Sequence, residues 1–375
     1  MLHDWYGKSS NLDVAVEWFD GFECADFVAA LDRVSAAHRA RLEAGRQIYV
    51  YLESPCNPHG YVLDAPAICE AAHRRGLTTI LDSTVATPVL QRLLQDSDPA
   101  RRPDFLIHSF TKDITGSGAT TAGVVIGRNE RMFIPKGESA AATGPDGNRR
   151  VYKWDETLFW NVYYVKGAFL DADKAFEVLN GARTLEQRVL GKCVNTIVLA
   201  QLLSRHPEIN VHCNAAPGNR NAKLRERLLY LGLPAPLFTI DFEAGASGPG
   251  RVGRAQLKKL FDRLEPAFGL QVSLGQNNSV VLCPALTSHS ELSDEALREA
   301  GIAPTTIRIS VGSEDPRTLL AHLIKGAELA IEPDCPGFLR GFPQPSEIDA
   351  VYRQVYADVH RRYVESRPSF DALLA

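Results

Sequence analysis

The chain has 375 residues, 45% of them apolar, and a formal net charge of −4, so it is long enough for two domains with a sizeable core. Its Lys and Arg residues are dispersed, which argues against a nucleic-acid-binding surface. No apolar run approaches the length of a membrane span, and the N-terminus, MLHDWYGKSS, lacks the apolar core of a signal peptide. We therefore expect a soluble cytoplasmic protein that binds neither nucleic acid nor a membrane.

The seven cysteines are scattered, and no two of them form a Cys-x-x-Cys pair. This spacing argues against a structural zinc site. Free thiols in a reducing compartment are the simplest account. The sequence therefore predicts no metal site.

The first half of the chain alternates short apolar strands with helical patterns. A helix is predicted at 65–76, where Gly76 gives a stop signal. Strands are predicted at 47–53, 77–82, 104–109 and 121–127. Such alternation is typical of an α/β sheet with mostly parallel strands. We assign residues 1–183 to a large domain of this class.

The second half is predicted to form a smaller α+β domain, over 184–330. A long helical stretch at 184–206 leads into it. Strands are predicted at 237–243, 270–275, 279–285 and 306–312, and helices at 256–268 and 316–330. Residues 331–375 are predicted to form a Pro- and Gly-rich linker, at 332–347, and an additional last helix.

Polar residues follow three predicted strands, where ligands bind in open α/β sheets. Asn57 follows the first strand, Asp82 the second, and Ser109, Thr111 and Lys112 the third. A lysine can form an imine with an aldehyde, an aspartate can pair with a pyridinium nitrogen, and hydroxyls can hold a phosphate. Pyridoxal phosphate (PLP) needs this combination. Each residue alone has an ordinary explanation as a surface charge, a helix cap or a turn. The combination therefore indicates a site for PLP or for another phosphate-bearing ligand, and does not distinguish between the two.

The same residues form motifs in a recognisable order. Residues 53–58 read E-S-P-C-N-P, 82–84 read D-S-T, and 109–112 read S-F-T-K. Together they resemble the cystathionine synthase and lyase family, the PLP-dependent enzymes of cysteine and methionine metabolism. The resemblance runs from about Tyr6 to about Leu329 and implies the aspartate-aminotransferase-like fold (fold type I). Further matching segments are GVVIGR at 123–128, SLG at 273–275, PALTSHS at 284–290 and IRISVGSED at 307–315.

The resemblance implies roles for the residues around the cofactor ring. Lys112 would be the Schiff-base lysine and would later move protons between the α- and γ-carbons. Asp82 would pair with the ring nitrogen, and Thr84 would lie beside the cofactor. Asn57 would donate to the phenolic oxygen, and the ring of Tyr6 would stack on the cofactor.

Further roles concern the phosphate and the substrate. Ser109 and Thr111 would bind the phosphate. Arg308 would clamp the substrate α-carboxylate with its guanidinium fork, for which lysine is a poor substitute. Ser279 matches a Ser or Thr that lies near the lysine. Asn278 stands where Glu is common, close to the substrate side chain, and this departure leaves the substrate open.

The sequence also departs from the family pattern. About 100 residues expected ahead of the Tyr6 segment do not occur here, and with them go a Ser-Gly-Met turn and a Tyr-x-Arg pair that contact the phosphate in the family. No tyrosine in this chain is followed by x-Arg. A truncated gene, a segment supplied by another chain, and a homologue without catalysis are the alternatives. Asp113 replaces the usual aromatic residue, and 137–160 is an additional polar and aromatic segment.

For function, the resemblance implies γ-replacement or elimination on homoserine esters, cystathionine or a related small amino acid. Synthases, sulfhydrylases and lyases share these motifs, and we favour a cystathionine γ-synthase-like activity. A non-catalytic partner subunit is the first alternative, and a phosphate-ligand binder in which Lys112 is a simple charge is the second. The family usually forms dimers or tetramers, so we expect a homo-oligomer.

Overall fold

The computed structural model describes residues 14–369, except 146, 244–249 and 288, together with residue 372. Tyr6, predicted to stack on the cofactor, lies outside the described residues. The helices are α1 (Cys24–Ala37), α2 (Arg39–Glu43), α3 (Ala65–His73), α4 (Thr87–Leu90), α5 (Asn129–Met132), α6 (Ala172–Arg183), α7 (Leu185–Leu203), α8 (Ala222–Leu228), α9 (Arg254–Phe261), α10 (Asp294–Glu299), α11 (Pro316–Ala330) and α12 (Pro345–Glu365). The strands are β1 (Tyr49–Glu53), β2 (Thr78–Asp82), β3 (Phe105–Ser109), β4 (Gly123–Gly127), β5 (Ser139–Thr143), β6 (Arg149–Lys153), β7 (Asn210–His212), β8 (Leu237–Asp241), β9 (Gly269–Leu270), β10 (Val280–Leu282) and β11 (Ile307–Ser310).

The first sheet has the strand order β1-β2-β3-β4, in which the first three strands are parallel and β4 is antiparallel. Side chains alternate between its faces. On one face, Val50 and Leu52 pack with α1 and α3 around Ile68. On the other face, Tyr49 and Tyr51 are 60% and 40% exposed. Parallel sheets are usually covered on both faces, so the exposure of this one is unusual.

The parallel strands end together at one edge of this sheet. Glu53 is in register with Asp82, and Asp82 with Ile107 of β3. Ser109, the last residue of β3, therefore lies at the same edge. The sequence-based prediction that the three strand ends meet is confirmed.

The second sheet has the order β7-β8-β11-β10-β9. Every residue of its strands β8 and β11 is buried, as expected for central strands. Most of α7 is also buried, and its apolar residues belong to a core that includes strands of this sheet. A largely parallel sheet joined to a smaller α+β unit confirms the predicted fold class, whereas the domain boundaries stay predictions. None of the helices within the described residues is long and apolar enough to cross a membrane.

Two predicted elements differ in the structure. The strand predicted at 270–275 is reduced to the end of β9, because the carbonyls of Val272 and Ser273 accept from the Arg308 side chain. The chain then turns at Gly275, which has a φ of 72°. The segment predicted as a linker packs onto the core, where Phe338 is only 1% exposed. In the additional segment at 137–160, β5 and β6 form an antiparallel hairpin, which is followed by a cluster of edge-to-face and stacked aromatic rings.

Candidate active site

Lys112 lies in a single π-type turn, Phe110–Ile114, that directly follows β3. Its Nζ donates a hydrogen bond of 2.9 Å to Oγ of Ser273. Partial burial, and then the nearby charge of Arg308, lower the pKa of Lys112. A lowered pKa increases the fraction of neutral amine near pH 7, and the neutral amine is the form that attacks an aldehyde.

Arg308, on β11, contacts both the loop after β1 and Ser273, the residue that accepts from Lys112. Its guanidinium is almost fully buried, and burial lowers its pKa to about 10. Nη1 donates to Oδ1 of Asn57 at 3.0 Å, and Nη2 donates to the carbonyl oxygens of Val272 and Ser273 at 3.2 and 2.6 Å. Its buried Nε has no hydrogen-bond partner among the described residues. A substrate carboxylate would supply that missing partner, which agrees with the predicted role of Arg308.

Asn57 is held from two sides. Its backbone N–H donates to Oε1 of Glu53 at 3.0 Å, and its Oδ1 accepts from Arg308. The amide is thereby oriented with Nδ2 as its donor end, as the predicted role toward a phenolic oxygen requires. Burial, the largest cause, raises the pKa of the Glu53 carboxyl to about 7.

Asp82 ends β2 beside a short chain of hydrogen bonds. Its Oδ1 accepts from the backbone N–H of Thr84 at 2.9 Å, and Oγ1 of Thr84 accepts from the backbone N–H of Ser109 at 2.9 Å. The Tyr51 hydroxyl is hydrogen-bonded to the Asp82 carboxylate, and burial together with the charges of Asp82 and Glu53 raises the pKa of Tyr51. Tyr51 is therefore the donor in that bond.

The two predicted phosphate residues differ in their surroundings. Ser109 is half-buried at the end of β3. Oγ1 of Thr111 accepts from the backbone N–H of Ala122 at 3.0 Å and donates to its carbonyl at 3.2 Å. To bind a phosphate oxygen as a donor, Thr111 would have to give up the Ala122 carbonyl. Both phosphate roles stay predictions.

The two predicted residues near the substrate do not reach Lys112 through the hydrogen bonds of the described chain. Ser279 is fully buried, and its Oγ donates to Oε2 of Glu314 at 2.9 Å and accepts from the N–H of Gly312 at 2.8 Å. Asn278 is exposed. The serine beside the Lys112 amine is Ser273, six residues earlier, because the turn at Gly275 separates the two serines.

Four residues of the site were not among those predicted from the sequence: Ser273, Tyr51, Glu53 and Lys192. Ser273 is the first residue of the SLG segment and Glu53 the first of the E-S-P-C-N-P segment, so both could have been recognised from these motifs. Lys192 could have been recognised in another way, since it is the only charged residue in the apolar stretch 189–203. A lysine is seldom buried in a protein core without a charged partner. Tyr51 had no comparable signal, because tyrosine is common in strands.

These groups fit PLP. Lys112 is an amine with a lowered pKa, and Asp82 is a carboxylate at the same edge of the sheet. Arg308 has a buried N–H that finds no partner in the part of the chain that the structure describes. Ser109 and Lys112 are three residues apart and therefore at most about 11 Å from each other along the chain. Lys112 and Arg308 both contact Ser273. Asp82 and Ser109 are both hydrogen-bonded to Thr84, so the four groups lie around one site.

Comparison with known proteins supports this interpretation. Over 80% of this chain, the sequence is 29% identical to L-methionine gamma-lyase of Pseudomonas putida. Over 78% of this chain, it is 29% identical to O-succinylhomoserine sulfhydrylase of Pseudomonas aeruginosa. The crystal structure of cystathionine gamma synthase from Xanthomonas oryzae pv. oryzae in complex with cystathionine superposes with a TM-score of 0.60 and 27% identity, over 75% of this chain and 63% of that one.

The chain spans 66% and 62% of the length of the two curated relatives, which is less than two thirds. The model of the family described as Cys/Met metabolism PLP-dependent enzyme matches residues 17–328, most of the chain and all the described site residues. The chain therefore belongs to the Cys/Met metabolism PLP-dependent enzyme family.

Proposed function

We propose that this chain is a PLP-dependent enzyme that eliminates or replaces the γ-substituent of a sulfur-containing amino acid or a homoserine ester. One observation supports this most directly. Ser273 contacts Lys112 through its Oγ and Arg308 through its carbonyl oxygen. Ser273 thus brings together the lysine predicted to bind the cofactor and the arginine predicted to bind the substrate carboxylate.

Each residue has a definite task in this proposal. Lys112 would hold PLP through Nζ and would accept the proton of the substrate α-carbon as a free amine, with Ser273 orienting that amine. Arg308 orients the substrate carboxylate. Asp82, held by Thr84 and Tyr51, would pair its carboxylate with the ring nitrogen of the cofactor. When bound, PLP supplies an electron sink for the α-carbon.

Several substrates are compatible with the proposed reaction. Relatives are named as methionine γ-lyases, O-succinylhomoserine sulfhydrylases and cystathionine γ-synthases. Lys112 and Arg308 would act on the α-carbon and the α-carboxylate, which all amino-acid substrates have in common. We favour a cystathionine γ-synthase-like replacement. Incubation with O-succinylhomoserine and cysteine, with O-succinylhomoserine and sulfide, and with methionine alone distinguishes these reactions by their products. Release of a thiol from methionine alone would contradict the synthase assignment.

The role of Lys112 is tested with the cofactor itself. Wild-type protein mixed with PLP should turn yellow, and borohydride reduction should leave a pyridoxyl group on Lys112 in peptide mass spectra. Lys112→Ala should lose both signals, whereas Lys258→Ala, on an exposed part of α9, should keep them. A wild-type protein that binds PLP without any adduct at Lys112 would favour the phosphate-binding alternative, and one that binds no PLP the non-catalytic alternative.

We also infer that the chain functions in a homo-oligomer. One face of the first sheet is partly exposed, and apolar side chains on 162–179 are exposed as well, with Val165 at 74%. Monomeric proteins rarely leave so many apolar side chains exposed together. A cytoplasmic location stays a prediction.

A further inference from the structure

A buried ion pair lies directly beside the proposed cofactor lysine. Nζ of Lys192, on α7, is 2.8 Å from Oδ1 of Asp113, and the two side chains are 0% and 1% exposed. Asp113 follows Lys112 in the chain, so their Cα atoms are about 3.8 Å apart. Lys192 also donates to the carbonyl oxygen of Gln276 at 2.5 Å.

The pair connects the two segments that carry the site. The carboxylate of Asp113 belongs to the turn that bears Lys112, while Gln276 belongs to the segment of Ser273, which contacts both Lys112 and Arg308. A Cβ on Gly275 would lie 2.7 Å from Oδ2 and 2.8 Å from the backbone nitrogen of Asp113. The two segments are therefore packed so closely that only glycine fits between them.

Arg188, one turn before Lys192 on α7, supports the same turn through its backbone. Its Nη1 donates to the carbonyl of Asp113 at 2.8 Å, and its Nη2 to the carbonyl of Ile114 at 3.1 Å. Helix α7 thus holds the lysine-bearing turn by two cations, of which Lys192 alone is paired with a buried carboxylate.

A contribution to folding stability does not explain why such a pair is buried here. Taking two charges out of water costs about as much as their attraction returns, and apolar residues of similar size are often as stable. We propose that the Asp113–Lys192 ion pair is a positioning pair, which holds the Lys112 amine against Ser273 so that it can bind PLP. This inference rests on the proposed function of Lys112.

The test compares Asp113→Asn, Lys192→Met and the double variant, which leaves no unpaired charge. Asp104→Asn is the control, because Asp104 accepts from His73 and Thr79 at the opposite end of β3, about 16 Å away along the strand. Three quantities are measured for each protein: the free energy of unfolding, the PLP dissociation constant from the visible absorbance, and the pH at which the Lys112–PLP linkage loses its proton.

We expect each single variant to weaken PLP binding at least about tenfold, whereas the control loses stability only. The pH midpoints should move in opposite directions. In Asp113→Asn the unpaired Lys192 cation disfavours the protonated linkage and lowers the midpoint, and in Lys192→Met the unpaired carboxylate raises it. The double variant should keep the wild-type midpoint but not the wild-type affinity.

Single variants with wild-type affinity and midpoint would overturn the inference. If the single variants do not fold, the double variant decides alone, and wild-type affinity in it would show that the pair is only structural. A wild-type protein without an adduct on Lys112 would overturn the proposed function and this inference with it, whereas a normal adduct with unaffected variants would overturn this inference only.

Discussion

Nη1 of Arg308 lies 3.0 Å from Oδ1 of Asn57, although 251 positions separate them in the chain. This contact joins β11 of the second sheet to the loop that follows β1 of the first. A residue predicted to bind the substrate and a residue predicted to bind the cofactor are therefore fixed relative to each other. In the proposed site, the guanidinium that would bind the substrate carboxylate also orients the Asn57 amide.

Arg308→Lys should weaken substrate binding while leaving PLP bound. A single ammonium cannot reproduce the planar fork that reaches both Asn57 and Ser273 and still offers Nε to a carboxylate. Losing one such charged hydrogen bond corresponds to about 1.5–3 kcal/mol, so we expect KM to rise about 10- to 100-fold. Steady-state kinetics and the PLP absorbance measure the two effects separately.

The matched control is Arg251→Lys, since Arg251 is an exposed arginine paired with Glu208. It should leave KM unchanged. An Arg308→Lys enzyme with an unaltered KM would show that the substrate carboxylate binds elsewhere.

Glu53 should make the protein less stable as the pH rises from about 5 to about 7. Its pKa is raised from 4.5 to about 7 in the folded chain, chiefly by burial, so the folded state holds the proton over a range in which the unfolded state has lost it. Stability then falls with rising pH throughout that window. Glu53→Gln keeps an acceptor for Asn57 and removes the titration.

At pH 8, Glu53→Gln should therefore be more stable than the wild type by up to about 3 kcal/mol, and at pH 4.5 the two should be similar. Urea unfolding at a series of pH values measures this difference. Glu43→Gln, at an exposed position, should follow the wild-type curve. Parallel curves for Glu53→Gln and the wild type would refute the raised pKa.

The sequence predicted the parts of the site that depend on local order. Buried strands that end in Glu53, Asp82 and Ser109 were recognisable from their apolar runs, and parallel strands necessarily bring these ends to one edge. Their meeting needed no knowledge of the second sheet.

Contacts made across the fold were not predictable in the same way. The apolar alternation at 270–275 indicates a strand, but the carbonyl of Ser273 is bonded to Arg308 instead of to a neighbouring strand. The Pro- and Gly-rich composition at 332–347 indicates a linker, yet the segment buries Phe338 and Cys335. Local patterns do not reveal which distant surface a segment will pack against.

The proposed oligomer makes Val165→Asp informative. The side chain is 74% exposed, so a charge there should cost little in an isolated chain but should weaken an interface that buries it. Light scattering coupled to size exclusion should show a smaller assembly for Val165→Asp at low micromolar concentration. The control is Val364→Asp, at an equally exposed position on α12. A wild-type protein that elutes as a monomer would refute the oligomer.

Helix α12 lies beyond the residues matched by the family model, and it packs against α7. The Tyr356 hydroxyl donates to Oδ1 of Asn195 at 2.5 Å, and Nδ2 of Asn195 donates to the carbonyls of Gly312 and Glu314 at 3.0 and 2.8 Å. Glu314 in turn binds Ser279. A chain of hydrogen bonds therefore leads from the additional helix to the segment that follows β11.

Tyr356→Phe should lower the free energy of unfolding by about 1–2 kcal/mol, because the buried Oδ1 of Asn195 would lose its donor. Tyr352→Phe, on the same helix, keeps its ring beneath the Arg317 guanidinium and should be nearly neutral. Chemical denaturation of the two variants measures the difference. Equal stabilities would mean that α12 only covers apolar surface, whereas the expected loss would show that it also fixes the loop after β11, which carries Glu314.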